Sequence, residues 1–186
     1  MTEYKSEEWM YQGVIMSGFG GQGIISAGIL LAYAGMTDGK YVTFFPAYGA
    51  EMRGGTANCS VVISSEEIAS PVVAYPDTLV VMNEPSLARF EASVRKGGLL
   101  LINSSLVAGK PKRDDVKVQY IQANEIAEKM GTTKIANMVM IGAYSKLTGA
   151  ISFEGLKKSL QKVFPRARQE IIDLDSEALK KGMEAV

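Results

Sequence analysis

The sequence of 186 residues contains no histidine and a single cysteine, Cys59. Without histidine there is no imidazole metal ligand and no base for a Ser-His-Asp or Cys-His catalytic centre. One thiol cannot form an internal disulfide, and it cannot supply the several thiolates of an iron–sulfur or zinc cluster. We therefore expect the chain to bind no metal and to hold no cofactor by itself.

An excess of charge of one sign and a long apolar run are also missing. Twenty basic and twenty acidic residues give a net charge of zero, so nothing predicts binding to nucleic acid or to an acidic membrane surface. The longest weakly polar run, residues 23–36, is far shorter than the roughly 20 apolar residues of a spanning helix. No secretory signal is visible at the start. We expect a cytoplasmic protein whose residues 1–186 form a single domain.

Strand-like and helix-like patterns alternate over the first two thirds of the sequence, and helical patterns dominate the last third. The predicted strands are residues 14–16, 41–45 (ended by Pro46), 57–64, 78–82, 99–102 and 116–121. The predicted helices are residues 24–34, a segment beginning at Pro85, 123–130, 136–147, 153–164 and 167–181. This order predicts an α/β fold, a layered Rossmann-like domain with a mostly parallel or mixed sheet flanked by helices.

The first candidate site is a glycine cluster between a predicted strand and a predicted helix. Its residues are Gly18, Gly20, Gly21, Gln22 and Gly23. The spacing matches G-x-G-x-x-G, in which backbone amides at a helix N-terminus can hold a phosphate. A dinucleotide site also needs an acid at the end of the second strand, and Asp38 comes too early. Tight packing of the helix on the strand is the favoured interpretation, and the phosphate of another ligand remains open.

The second candidate site is the segment 46–56, which has three glycines and no periodicity and is therefore predicted to be a loop. Its candidate residues are Tyr48, Glu51, Arg53, Gly54 and Gly55. Glycines permit close approach of the backbone, which binding loops use, and the charged pair and the phenol could contact a ligand. A weak ion pair on an exposed connection explains the same residues equally well.

Two further features favour structural roles. Cys59 lies in an apolar strand pattern and is predicted to be an inert core thiol. Met138 and Met140, in the run NMVMIG, are predicted to belong to the core or to a subunit contact.

Taken together, GFGGQG at 18–23 and AYGAEMRGG at 47–55 resemble the gamma subunit of 2-oxoacid:ferredoxin oxidoreductases. The equivalent domain of pyruvate:ferredoxin oxidoreductase belongs to the same family. The likeness continues through VVIS at 61–64, YPD at 75–77 and NMVMIG at 137–142, and it covers roughly residues 13–165.

The resemblance implies a non-catalytic gamma subunit that packs beside a thiamine diphosphate site, and it leaves a contact with coenzyme A open. The complex would convert a 2-oxoacid such as 2-oxoglutarate, 2-oxoisovalerate or pyruvate to an acyl-CoA and reduce ferredoxin. Implied partners are the alpha, beta and ferredoxin-like delta subunits and ferredoxin itself, with thiamine diphosphate, Mg and iron–sulfur clusters held outside this chain. Arg53 would be the anion contact in the second segment. The alternatives are an indolepyruvate:ferredoxin oxidoreductase beta-type subunit and a free-standing nucleotide-binding protein.

Overall fold

The computed structural model describes residues 9–48 and 56–186. The strands are β1 (Tyr11–Phe19), β2 (Tyr41–Tyr48), β3 (Thr56–Ser64), β4 (Thr78–Val81), β5 (Leu99–Asn103) and β6 (Lys117–Ile121). The helices are α1 (Ile24–Thr37), α2 (Glu84–Phe90), α3 (Ala123–Lys129), α4 (Ala136–Thr148), α5 (Phe153–Val163) and α6 (Gln169–Glu184). Short 3-10 turns at Glu91–Ser93 and Thr133–Ile135 precede β5 and α4.

The strands form one mixed sheet in the order β2-β3-β1-β4-β5-β6. Strands β1, β4, β5 and β6 run parallel to one another, whereas β3 is antiparallel to both β1 and β2. The predicted layered α/β fold is confirmed in its mixed form. The carboxyl ends of the four parallel strands therefore meet at one edge of the sheet, which is where open α/β sheets bind ligands.

Apolar residues on the two faces of the sheet form two cores. The larger core joins β1 and β3 to α1 and to all four C-terminal helices, and the smaller lies between the other face and α2. Helix α4 is buried throughout residues 136–145, so Met138 and Met140 belong to the core. Every helix within the described residues is too short or too polar to traverse a lipid bilayer.

Strand β2 continues past Pro46 to Tyr48, so the prediction that Pro46 ends this strand is wrong. The reason is its position, because β2 is an edge strand that pairs with β3 alone. A proline costs no ladder hydrogen bond where a strand has no neighbour. Strand β6 lies at the opposite edge of the sheet, as its alternating pattern predicts, but the alternation fails at Tyr120, which is 44% exposed.

Helix α6 turns a different side to the core from the one its sequence indicates. The apolar spacing predicts that Ile171, Leu174 and Ala178 face inwards, but Ile171 is 47% exposed. The buried positions of α6 are Ile172, Asp175, Ala178, Leu179 and Gly182. This rotation lets glycine meet the backbone of α4, because a β-carbon on Gly182 would overlap the carbonyl oxygen of Val139.

Candidate functional site

The glycine cluster forms a tight turn between β1 and α1. Gly21 and Gly23 have φ values of +94° and +71°, which other L-residues adopt only with strain. The Gln22 side chain closes the turn, since its Oε1 accepts from the Phe19 amide at 2.6 Å. Its Nε2 donates to the carbonyl oxygen of Met82 at 3.1 Å. The turn is therefore tied to the end of β4 by one side chain.

Two glycines allow α1 to approach the sheet closely. A β-carbon on Gly18 would lie 2.8 Å from both Ile24 Cδ1 and Met82 Cβ. A β-carbon on Gly28 would overlap Cys59 Sγ and lie 2.8 Å from a ring carbon of Phe44. These contacts support the interpretation of the glycine pattern as a packing device. Gly20, by contrast, is exposed in the turn.

A cavity of about 160 Å³ lies beside this turn, at the carboxyl ends of the parallel strands. Residues from the turn, from the end of β4, from α3 and from the start of α4 line it. They are Gly21, Gln22, Met82, Asn124, Thr133, Lys134, Ala136 and Asn137. Packing and an open cavity therefore coexist at the same turn.

Two helices begin next to this cavity without a side-chain cap. Gly23 is the N-cap of α1 and Ile135 is the N-cap of α4, and neither side chain satisfies a first-turn amide. At α4, the Ala136 amide donates to the Thr133 carbonyl oxygen. The Met138 amide donates to Asn137 Oδ1. An anion is therefore favoured by the open amides of α1 and by the positive ends of the two helix dipoles. Lys134 lines the same cavity and adds a positive charge. The arrangement suits a phosphate or a carboxylate.

The structure also explains what Asp38 does. Its carboxylate accepts hydrogen bonds from the Ser152 amide and hydroxyl, both at 2.6 Å. The Ser152 hydroxyl in turn accepts from the Gly155 amide at 2.9 Å and so caps α5, as its sequence predicts. Asp38 therefore links the end of α1 to the start of α5. Its carboxylate is used in this contact and not in binding a ribose hydroxyl. This agrees with the absence of a dinucleotide signature.

The second glycine segment largely lies outside the described residues. Glu51, Arg53, Gly54 and Gly55 belong to that part, and the backbone of Tyr48 ends β2. The flanks of the segment are nonetheless placed by the sheet. Tyr48 pairs with Ala57, and Thr56 pairs with Phe19 at the start of the glycine turn. The described flanks of this segment and the glycine turn therefore lie at the same edge of the sheet.

Cys59 is fully buried on β3, facing α1. Burial raises the pKa of its thiol to about 12, so the reactive thiolate is suppressed. This confirms the inert core thiol expected from the sequence. Among the described residues there is no group of three or more histidine, cysteine, aspartate or glutamate side chains placed to hold a metal ion.

Sequence reasoning missed the polar residues contributed by the second half of the chain. Asn137 donates from its amide to the Gly23 carbonyl oxygen at 3.2 Å, and Lys134 lies beside it. Neither stands in a glycine-rich motif. The nearest sequence pattern is the run NMVMIG at 137–142. Its methionines indicate a core helix, and nothing in it marks Asn137 as a polar residue of the site.

The sheet order, the glycine turn and the cavity at the carboxyl edge define a Rossmann-like α/β domain. The gamma subunit of a keto/oxoacid ferredoxin oxidoreductase from Geobacter sulfurreducens PCA has the same fold, with a TM-score of 0.83 and 29% identity. That match covers 95% of this chain and 96% of the other. The family model for pyruvate ferredoxin/flavodoxin oxidoreductase matches residues 13–185. The chain belongs to this family.

Two longer relatives contain a region similar to this chain. Ketoisovalerate oxidoreductase subunit VorA of Methanothermobacter marburgensis is 39% identical over 171 residues, which are 91% of this chain and 35% of that protein. A 2-oxoglutarate:ferredoxin oxidoreductase from Magnetococcus marinus, solved with 2-oxoglutarate, coenzyme A and succinyl-CoA bound, matches with a TM-score of 0.86 and 27% identity. There the match covers 96% of this chain and 32% of the other. The chain thus spans about a third of each of these two proteins.

Proposed function

We propose that this chain is the gamma subunit, or the gamma segment, of a multi-subunit 2-oxoacid:ferredoxin oxidoreductase. The observation that carries the proposal is the match to the Geobacter gamma subunit over 95% of this chain and 96% of that one. The reaction would be coenzyme A-dependent oxidative decarboxylation of a 2-oxoacid, with ferredoxin as the electron acceptor. Pyruvate, 2-oxoglutarate and 2-oxoisovalerate are the candidate substrates. In this proposal the chain contributes no catalytic group.

The proposed partners are the alpha, beta and ferredoxin-like delta subunits, together with ferredoxin. Thiamine diphosphate with magnesium, and the iron–sulfur clusters, would reside in those subunits, because the single buried Cys59 does not suit cluster ligation. A cytoplasmic location and a single domain over residues 1–186 belong to the same proposal.

We further propose that the glycine turn and the segment 48–55 face the catalytic subunits and contact a phosphate of coenzyme A. The uncapped start of α1, the dipole of α4 and the charge of Lys134 support an anion beside the turn. A cavity of about 160 Å³ suits a phosphate group and not the whole cofactor. Coenzyme A is among the ligands bound by the similar Magnetococcus enzyme.

The experiment that tests the assignment is anaerobic purification of a tagged copy of this chain from its native source. The expected result is co-purification of thiamine- and cluster-bearing subunits, with viologen or ferredoxin reduction that requires both a 2-oxoacid and coenzyme A. Comparing pyruvate, 2-oxoglutarate, 2-oxoisovalerate and indolepyruvate then identifies the substrate and tests the indolepyruvate alternative.

Two outcomes would contradict the proposal. A chain that purifies alone and binds NAD in a calorimetric titration would be a free-standing nucleotide-binding protein. A complex that retains full activity and full coenzyme A affinity when this chain is removed would exclude both its place in the enzyme and the phosphate contact.

A further inference from the structure

A second, larger cavity of about 380 Å³ opens next to the first, between the start of α1, the start of α4 and helix α6. Its walls are mainly apolar. They include Ile135, Met138, Phe164, Ile171 and Leu174. Ile171 is 47% exposed and lies at the mouth of the cavity.

One acidic side chain lines this apolar cavity. Asp175 is only 6% exposed, and no described residue gives it a hydrogen bond or an ion pair. Burial raises the pKa of its carboxyl to about 6, so it is predominantly ionised at neutral pH. Its carboxylate oxygens are not fully enclosed and reach the cavity, so Asp175 presents an unpaired and partly desolvated charge there.

The charged groups nearby do not supply that partner. Lys134 also lines the cavity but is exposed and forms no ion pair with Asp175. On α6 itself, Asp173 accepts a hydrogen bond from Gln169 at 2.8 Å, and Glu177 lies 3.9 Å from Lys181. Within the described residues, Asp175 therefore has no cationic partner.

We propose that this cavity receives a lysine or arginine side chain of a partner polypeptide, with its cationic group on Asp175. The alkyl stem of such a side chain would lie along the apolar walls, which is how long cationic side chains bury their methylene groups. Lys134 is exposed, so the charge at the inner wall of the cavity is that of Asp175, which favours a cation over an anion. The exposed Ile171 at the rim favours a polypeptide over a free amine, because it offers contact surface outside the cavity.

The test uses the purified chain, with binding followed by NMR of a 13C-labelled Met138 methyl group. The probes are N-acetyl-lysine methylamide and N-acetyl-norleucine methylamide, which differ by the terminal amine. We expect the lysine probe to bind at least about tenfold more tightly, because only it can pair with the carboxylate. Asp175→Asn should abolish that preference, whereas the control Asp173→Asn, on the exposed side of α6, should preserve it.

Equal binding of the two probes, or a preference that survives Asp175→Asn, would overturn the proposal. The variant Lys134→Met tests whether Lys134 itself, and not an external cation, neutralises Asp175. Unchanged affinity for the lysine probe supports an external cation, whereas a gain of about tenfold would mean that Lys134 already neutralises Asp175. The measurement requires no other subunit, so its failure would leave the proposed enzyme assignment standing.

Discussion

The side-chain amide of Asn137 donates a hydrogen bond of 3.2 Å to the carbonyl oxygen of Gly23, which joins the start of α4 to the start of α1. Its Oδ1 accepts from the Met138 amide at 3.0 Å. Asn137→Ala removes both interactions from a buried site, so we expect the free energy of unfolding to fall by about 1–2 kcal/mol. Urea denaturation measures this loss. An effect no larger than that of the exposed control Gln161→Ala would show that the junction is not a stabilising one.

Helices α4 and α6 cross where each presents a glycine to the other. A β-carbon on Gly142 would overlap the carbonyl oxygen of Leu179, and one on Gly182 would overlap that of Val139. Helix propensity alone predicts that Gly182→Ala stabilises α6. Because the clash is with backbone that cannot rotate away, we instead expect a loss of at least about 2 kcal/mol.

Thermal unfolding of Gly142→Ala and Gly182→Ala measures this effect. Lys180→Ala, at an exposed position of α6, is the control for substitution by alanine in the same helix. A rise in melting temperature for either glycine variant would mean that the two helices are more loosely packed than the structure indicates.

The elements were predictable because their local patterns and their tertiary environment agree. The buried run at β5 and the Ser152 cap of α5 are read directly from the sequence and recur in the structure. Pro46 and α6 were predicted wrongly because tertiary context decided them. An edge position tolerates the proline, and the glycine contact with α4 rotates α6 away from its apolar stripe.

The candidate site was only half predictable. The glycine turn carries a sequence motif, and helix α1 follows this motif directly. Lys134 and Asn137 reach the same cavity from more than a hundred residues further along the chain. No local pattern marks them, because their role arises only when β4 and α3 bring the start of α4 to the edge of the sheet.

Cys59 should resist thiol reagents for as long as the chain is folded. Its side chain is fully buried and its thiol pKa is raised to about 12, so very little thiolate forms at mildly alkaline pH. We expect labelling by Ellman's reagent to proceed only at the rate of unfolding, and to become rapid in denaturant. Rapid labelling of the native chain, with unchanged circular dichroism, would contradict the packing of β3 against α1.

Asp175 should make stability depend on pH in an unusual direction for a carboxylate. Its folded-state pKa is raised from 3.8 to about 6, so the folded state binds a proton more readily than the unfolded state. The penalty of the buried charge is full above pH 6 and is relieved as the pH falls towards 3.8. Asp175→Asn should therefore stabilise the isolated chain at neutral pH.

The advantage of Asp175→Asn should shrink as the pH falls below 6. Urea denaturation across this range, with Asp173→Asn as the exposed control, separates the effect from the titration of other carboxyls. An Asp175→Asn chain that is less stable than the wild type at neutral pH would mean that the carboxylate is already paired within the chain.

Arg53 provides the sharpest kinetic test of the proposed coenzyme A contact. In the assembled complex, Arg53→Ala should raise the Michaelis constant for coenzyme A several-fold and leave that for the 2-oxoacid unchanged, because a guanidinium binds a phosphate without entering the oxoacid chemistry. Arg166→Ala, an exposed arginine between α5 and α6, controls for loss of one positive charge. Initial rates with ferredoxin in excess measure both constants. Unchanged kinetics in a fully assembled Arg53→Ala complex would exclude the contact and assign the loop to subunit packing alone.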